Sequence, residues 1–238
     1  MRIGIIAALP GELKPLVRGW ERQPTGVKGI SVWTTVRGED EVIAVCGGMG
    51  SDAALRSFAA AEFMGALDLV LSVGWVGALA DEARTGECYI PSEIIDVQTG
   101  EHFLLTEGNR RLRLVTTVRV ADALEKKRLR ESYGAVMVDM EAAAVARLAQ
   151  MRQIPVCCFK AVSDAPDATL PDLNSFIDAQ GQMQMTLFIA HAAMRPRFWG
   201  SLLELGRNSS AGAKAIADCV NRFLANKDVE RLNRTGAV

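Results

Sequence analysis

Three carboxylates stand just beyond three apolar runs, and they are the side chains with which this chain can do chemistry. Glu12 follows Ile3 to Ala8, Glu141 follows Val136 to Val138, and Asp164 follows Pro155 to Val162. Each apolar run has the composition of a buried strand. Carboxylates at neighbouring strand ends divide acid and base work when their surroundings differ, because burial favours the protonated form and amide donors favour the ionised one. Each acid also has a plainer reading alone. Asp139 suits a helix N-cap, while Glu141 and Glu12 suit first-turn acids. Two acidic clusters at two strand ends nonetheless point to one shared crevice, the usual ligand site of open α/β sheets. Glu141 opens a helix of small apolar residues, whose N-terminal dipole predicts an ionised carboxylate there.

The elements that must hold these acids alternate strand and helix. Leu9-Pro10-Gly11 ends the first strand, and a helix is expected from Glu12 to Trp20. Ile30 to Val36 and Glu41 to Val45 read as a hairpin across Arg37-Gly38-Glu39-Asp40. Cys46-Gly47-Gly48-Met49-Gly50 then leads into an alanine-rich helix, a junction where glycine backbone approaches a ligand and helix amides favour an anion or a hydroxyl-rich group. Leu69 to Val73 is a further strand ending in Gly74-Trp75-Val76-Gly77, and Gly86 to Ile95 is more strand material interrupted at Pro91-Ser92. Residues 96–113 are polar and read as a surface excursion. Leu114 to Val120 resumes as a strand, and Ala121 to Tyr133 reads as a helix whose Glu125-Lys126-Lys127-Arg128 run is a solvated face. Residues 165–171 form a loop, Asp172 to Ala193 a long helix, and residues 194–238 two further helical stretches.

The chain has 238 residues, 49% hydrophobic and 23% charged, with a net charge of -1. That balance fits one large globular domain and leaves no basic excess to hold nucleic acid. The first apolar run is too short for a signal-peptide core or a membrane span, so a cytoplasmic protein is expected. Five cysteines without a CxxC pair read as buried thiols, and two histidines without ligand spacing predict neither a metal site nor a histidine-based triad. No cofactor is expected. Gly48, Gly50 and Ala53 satisfy a loose dinucleotide fingerprint, but the downstream acid Asp68 precedes its strand instead of following it, which argues against that reading.

Met140-Glu141-Ala142 followed by Val162-Ser163-Asp164, with Glu12 after Met1-Arg2-Ile3-Gly4-Ile5-Ile6-Ala7-Ala8-Leu9, resembles the purine and uridine phosphorylase superfamily. The order of elements is most similar to its methylthioadenosine/S-adenosylhomocysteine nucleosidase branch. The resemblance implies an α/β, three-layer nucleoside phosphorylase-like fold with a mixed central sheet flanked by helices, over a domain of residues 1–193. Residues 194–238 would be a helical extension packed on the same domain, and they resemble the tail of the hopanoid-associated phosphorylase-like branch. The apolar stripe Phe198, Trp199, Leu202, Leu203 and Leu205 then packs on the body or a partner subunit, or faces lipid at a membrane surface.

The same resemblance implies hydrolysis of a ribose-to-base bond in an adenosine-type nucleoside. Asp164, if burial raises its pKa, would protonate the departing base. Glu141, ionised, would stabilise the ribose cation and accept its hydroxyls, and Glu12 would take a proton from the attacking water. Met140 would pack on the sugar, main chain from Phe159 to Val162 would read the base edge, and Ser163, Ala8 and Gly48 would border the substrate. Gly74 and Trp75 match the family's loop beside the ribose. There the phosphorylases tend to carry an arginine and a small hydroxyl residue, where this chain has Ser72 and Trp75. An indole offers one donor and bulk, which suits phosphate poorly and favours a hydrolase. A phosphorylase and a silent nucleoside-binding protein are the alternatives. The aromatic residue that stacks on the base in the nucleosidase branch has Val118, Arg119 and Val120 near its place. The resemblance also implies a homo-oligomer, with a dimer favoured.

Overall fold

Alternation of buried residues along the first strand sets the layers of the molecule. The computed structural model describes residues 1–105 and 107–235, with side chains to residue 226, so Thr106 and the last residues of the expected extension lie outside the described residues. In β1 (Arg2–Ala7), Ile3, Ile5 and Ala7 enter one core with Leu13 of α1 (Pro10–Leu13), while Ile6 enters a second core on the opposite face. The period-two pattern of a strand buried on both sides produces this division. β2 (Glu21–Gln23), β3 (Ser31–Arg37) and β4 (Asp40–Cys46) form an antiparallel meander, and β4 then runs parallel to β1, with Ile3 opposite Val42.

Phe58 of α2 (Ser51–Phe63) fills the second core. β5 (Leu69–Ala78) is the hub of the sheet: its first half pairs in parallel with β1, and its end pairs antiparallel with β10. β6 (Cys88–Tyr89), β7 (Pro91–Asp96), β8 (His102–Leu104) and β9 (Asn109–Thr116) follow, then α3 (Ala123–Tyr133), β10 (Met137–Asp139), α4 (Ala142–Met151) and β11 (Val156–Asp164). β11 lies parallel to β5 along nearly its whole length and is capped on its other edge by β6. The described strands form one mixed sheet of 11 strands. α2 and α4 cover one face of its parallel part.

The other face is covered by α1 and by α6 (Trp199–Thr235), which follows α5 (Met185–Ala193). Ile216, Ala217, Val220 and Leu224 of α6 lie in the core beside Phe159 and Leu71. Full burial of an isoleucine, valine or leucine contributes about 1.5–3 kcal/mol, so Ile216, Val220 and Leu224 anchor the middle of the helix firmly. Among the described residues, no helix is long and apolar enough to cross a membrane.

Several expected elements differ. The helix over 12–20 stops after Leu13, because turns lead to Gly19 at φ 82°. The polar excursion over 96–113 contains β8, at the edge of the sheet, and most of β9, whose Asn109, Arg110, Arg111 and Arg113 are exposed. The long helix over 172–193 is split. Asp178 Oδ1 accepts from the amides of Gln180 and Gln182 in a turn, Gly181 takes φ 75°, and Met49 N donates to Gly181 O at 2.7 Å. The two expected C-terminal helices are one continuous helix.

Candidate active site

Parallel β1, β5 and β11 end on the same edge of the sheet, beside the end of β10, and that geometry brings Glu12, Glu141 and Asp164 to one cleft of ≈ 260 Å³. Glu12 is 3% exposed. Its Oε2 accepts from the amides of Ala8 and Leu9 at 2.9 and 2.8 Å, and its Oε1 accepts from Trp75 N at 2.8 Å. Gly74 makes room for it, since a Cβ there would lie 3.0 Å from Oε1. Burial pushes the Glu12 carboxyl above the usual carboxylate range, against the amides of Leu9, Trp75 and Ala8 and the charge of Lys160. Orientation by three donors and a raised pKa are what a general base needs near neutral pH.

Glu141 is the N-cap residue of α4, but its carboxylate reaches across to α2. Gly50 N, at the start of that helix, donates to Oε1 at 2.6 Å, and Met140 N donates to Oε2 at 3.3 Å. The Gly50 amide, at the helix start expected to meet a ligand, thus meets this side chain. The expectation of an ionised Glu141 is corrected by its surroundings: burial first, then the neighbouring charge of Asp139, push its pKa up to about 8.

One buried cation serves this group of acids. Lys160 Nζ lies 2.8 Å from Asp139 Oδ2, and the two side chains are essentially inaccessible. Burial alone would depress the Lys160 ammonium, but Asp139, Cys158 and Glu141 together hold it above the ordinary lysine range. Asp139 also accepts from Thr116 Oγ1 and from Ala142 N, so it fixes the start of α4 as well as the lysine.

Asp164 has a different partner. Its Oδ2 is ion-paired with Lys126, its Oδ1 accepts from Ser163 Oγ at 2.6 Å, and Lys126 also donates to Ala165 O at 2.6 Å. An ammonium and a hydroxyl surround this carboxylate in place of the apolar shell that the expected burial would require. Lys126 and Leu129 form the buried face of α3, so the charge run 125–128 is not wholly a solvated face.

Ala8, Trp75, Met140 and Ser163 border the cleft. Gly74 lies beneath Glu12. Two expected positions are corrected. Phe159 is fully buried in the core, 5.3 Å from the ring of Phe223, and the main chain after it is paired with β6, so it does not face the cleft. Gly48 is packed against the 181–182 segment, where a Cβ would lie 2.6 Å from Gln182 Nε2. Its neighbour Met49 takes the cleft position. The Trp75 indole fills the space between Gly11 and Gly212, linking α1 and α6. Ser72 is buried in β5 and does not line the cleft.

Sequence reasoning missed Lys126, Lys160 and the outer wall of the cleft, where Leu170, Leu173, Met183, Met185, Phe188 and Leu205 supply apolar surface. Lys160 carries a signal in hindsight, because a lone charge inside an apolar strand demands a buried partner. The stripe on α6 divides: Leu205 reaches the cleft, whereas Trp199 and Leu203 are exposed. Among the described residues no cluster of three potential metal ligands occurs.

Comparison with known proteins agrees with this architecture. The model of the phosphorylase superfamily matches residues 2–122 and 112–193. No curated protein matches the chain in sequence. Among solved structures, 5′-methylthioadenosine nucleosidase of Arabidopsis thaliana is 19% identical with a TM-score of 0.69, over 94% of this chain and 95% of that one. The 5′-methylthioadenosine/S-adenosylhomocysteine nucleosidase of Helicobacter pylori, complexed with a nucleoside-like inhibitor, is 15% identical with a TM-score of 0.69, over 93% and 98%. S-adenosylhomocysteine nucleosidase of Streptococcus pyogenes is 21% identical with a TM-score of 0.63, over 71% and 86%. At such identities the structures speak for the fold, and the family model spans most of the chain: this protein belongs to the phosphorylase superfamily.

Proposed function

We propose that the protein hydrolyses the N-ribosidic bond of an adenosine-type nucleoside and releases the base. The observation that carries this reading is the convergence of Glu12, Glu141 and Asp164 on one cleft with three different sets of partners. Breaking the bond requires a proton on the departing purine, tolerance of positive charge at the ribose, and a nucleophile on the opposite side. Asp164 with its Ser163 hydroxyl faces the base. Glu141 takes the ribose hydroxyls, and its charge, once the proton is lost, offsets the oxocarbenium-like transition state. Glu12, raised by burial and aimed by three amides, removes a proton from water. Met140 packs beside the sugar.

Hydrolysis is favoured over phosphorolysis by charge. The amides of Ala8, Leu9 and Trp75, which would otherwise suit an anion, are taken up by the Glu12 carboxylate. Lys126, which lines the cleft, and Lys160, buried behind it, are each committed to an aspartate, and Arg119 is the other cation in the lining. A phosphate dianion would enter beside a carboxylate with neither lysine to receive it, so that among the described lining residues Arg119 alone could meet its charge.

The apolar outer wall supports a 5′-substituted nucleoside, and its methionines, leucines and phenylalanine suit a hydrocarbon group, up to a lipid-linked adenosyl substrate. A homo-oligomer, with a dimer favoured, is our reading of the exposed Leu187, Ile189 and Met194 around α5.

Free-base release from adenosine derivatives with different 5′ groups, each with and without phosphate, tests the reading. Phosphate-independent adenine release supports a nucleosidase, and a preference that rises with alkyl length supports the apolar 5′ group. Release only with phosphate would establish a phosphorylase, and tight binding without release a silent nucleoside-binding protein.

A further inference from the structure

Lys126 is the member of the 125–128 charge run that turns inward, with only 3% of its side chain exposed. It lies one helical turn from buried Leu129, and its Cε packs so close to β5 that a Cβ at Gly77 would lie 3.0 Å away. Two hydrogen-bonding partners hold its ammonium, the Asp164 carboxylate and the Ala165 carbonyl oxygen, and Lys126 itself borders the cleft. An ordinary surface ion pair contributes little and needs no such enclosure. Building an ammonium into the wall of a reaction cleft, against the carboxylate that faces the base, costs desolvation and asks what the proton is for.

We propose that Lys126 acts through Asp164 as the source of the proton that leaves with the base, an inference that rests on the nucleosidase reading above. In the resting pair the proton is on Lys126 Nζ. As the bond from C1′ to the purine breaks, its electron pair passes into the base, and the Asp164 carboxylate takes a proton from Lys126 and hands it to a purine ring nitrogen. One Nζ–H bond is lost, one ring N–H bond is gained, and Asp164 ends as it began. A departing purine anion is far more basic than a carboxylate and comparable to an alkylamine, so the ammonium can supply the proton once the bond is largely broken. Lys126 is left neutral. The water oxygen bonds to C1′ and its proton goes to Glu12. Passage of that proton through solvent to Lys126 completes the cycle with no net gain or loss.

The test compares the intact chain with Lys126→Met and Lys126→Arg. Arginine keeps the cation but does not give up its proton at working pH. Each is assayed on an ordinary adenosine-type nucleoside and on two activated partners with the same 5′ group, a 7-methylated purine nucleoside and a 4-nitrophenyl riboside, whose leaving groups need no proton. Both variants should lose about 10²–10⁴-fold in kcat on the ordinary nucleoside, the usual worth of general acid catalysis, and less than about 10-fold on whichever activated partner the parent cleaves. Equal losses on ordinary and activated substrates would overturn the proposal. So would turnover by Lys126→Arg near that of the parent, which would leave Lys126 with a charge-positioning role only. If Lys126→Met fails to fold, the arginine variant carries both comparisons. If the parent cleaves no nucleoside, the nucleosidase reading fails and this proposal with it; a parent that turns over with a flat variant profile removes the role of Lys126 alone.

Discussion

Lys160 Nζ and Asp139 Oδ2 meet at 2.8 Å at the junction of β11 and β10, the lysine 1% and the aspartate 0% exposed. A pair this deep is costly to form and more costly to break, because removing one member strands the other charge away from water. Lys160→Met should therefore destabilise the fold by about 3–5 kcal/mol, and Asp139→Asn combined with it should recover much of that loss. Urea unfolding of the two variants and the parent checks this. A double variant no more stable than Lys160→Met would mean that the pair supports packing rather than mutual charge.

The approach of Gly74 to Glu12 makes a sharper demand on catalysis than on folding. A Cβ at position 74 would stand 3.0 Å from Glu12 Oε1 and push the carboxylate away from its amides. Displacement of a reacting group by about 1 Å can cost about 10²-fold, so Gly74→Ala should lower kcat by that order with a smaller change in KM. Steady-state kinetics decides, and an unchanged kcat would remove Glu12 from the role of base.

The strand-end acids were legible because strand composition and strand-end position are local properties: Ile3 to Ala8 and Pro155 to Val162 announce themselves, and the residues after them fall on the ligand edge of the sheet. The partners of those acids were less so. Nothing local to Lys126 separates it from Lys127, and only the docking of α3 turns one inward and leaves the other in water. Likewise the break in the expected helix over 172–193 follows from long-range contacts, Met49 N to Gly181 O and Gln182 Nε2 to Gly47 O, which reward a turn where helix propensity alone does not. Glu141 shows the same limit in electrostatics. Its place at a helix start suggests an ionised group, yet burial and the buried charge of Asp139 beside it outweigh the amides.

Glu141 should also make stability depend on pH. Its folded pKa, about 8, lies above the ordinary 4.5, so the native state holds a proton that the unfolded chain releases. The contribution is complete below about pH 4.5 and is lost as pH rises through about 8. Glu12 is shifted in the same direction, by burial. The unfolding free energy of the parent should fall across this window more steeply than that of Glu141→Gln, which has no proton to release. Parallel curves from chemical denaturation between about pH 4 and about pH 9, a range that spans both values, would place the Glu141 pKa near its ordinary value.

A last charge relationship lies away from the cleft, where α6 passes β6. The Cys219 thiol is pulled down to about 6, first by a hydrogen bond from the Cys88 thiol and then by Arg222, whose Nη2 lies 3.3 Å from Sγ. The same bond pushes the Cys88 thiol up, while burial drives Cys46 and Cys158 up to about 12. Thiolate is the form that alkylates, and Cys219 is partly accessible. Iodoacetamide at neutral pH should therefore label Cys219 ahead of the other four cysteines, with Cys88→Ala slowing the reaction more at about pH 6.5 than at about pH 8.5, the pKa of a free thiol. Peptide mapping by mass spectrometry reads both effects. Because Cys88 and not Arg222 is the leading cause, a Cys88→Ala variant that labels as fast as the parent would shift that role to the guanidinium, and Arg222→Ala would then have to abolish the preference.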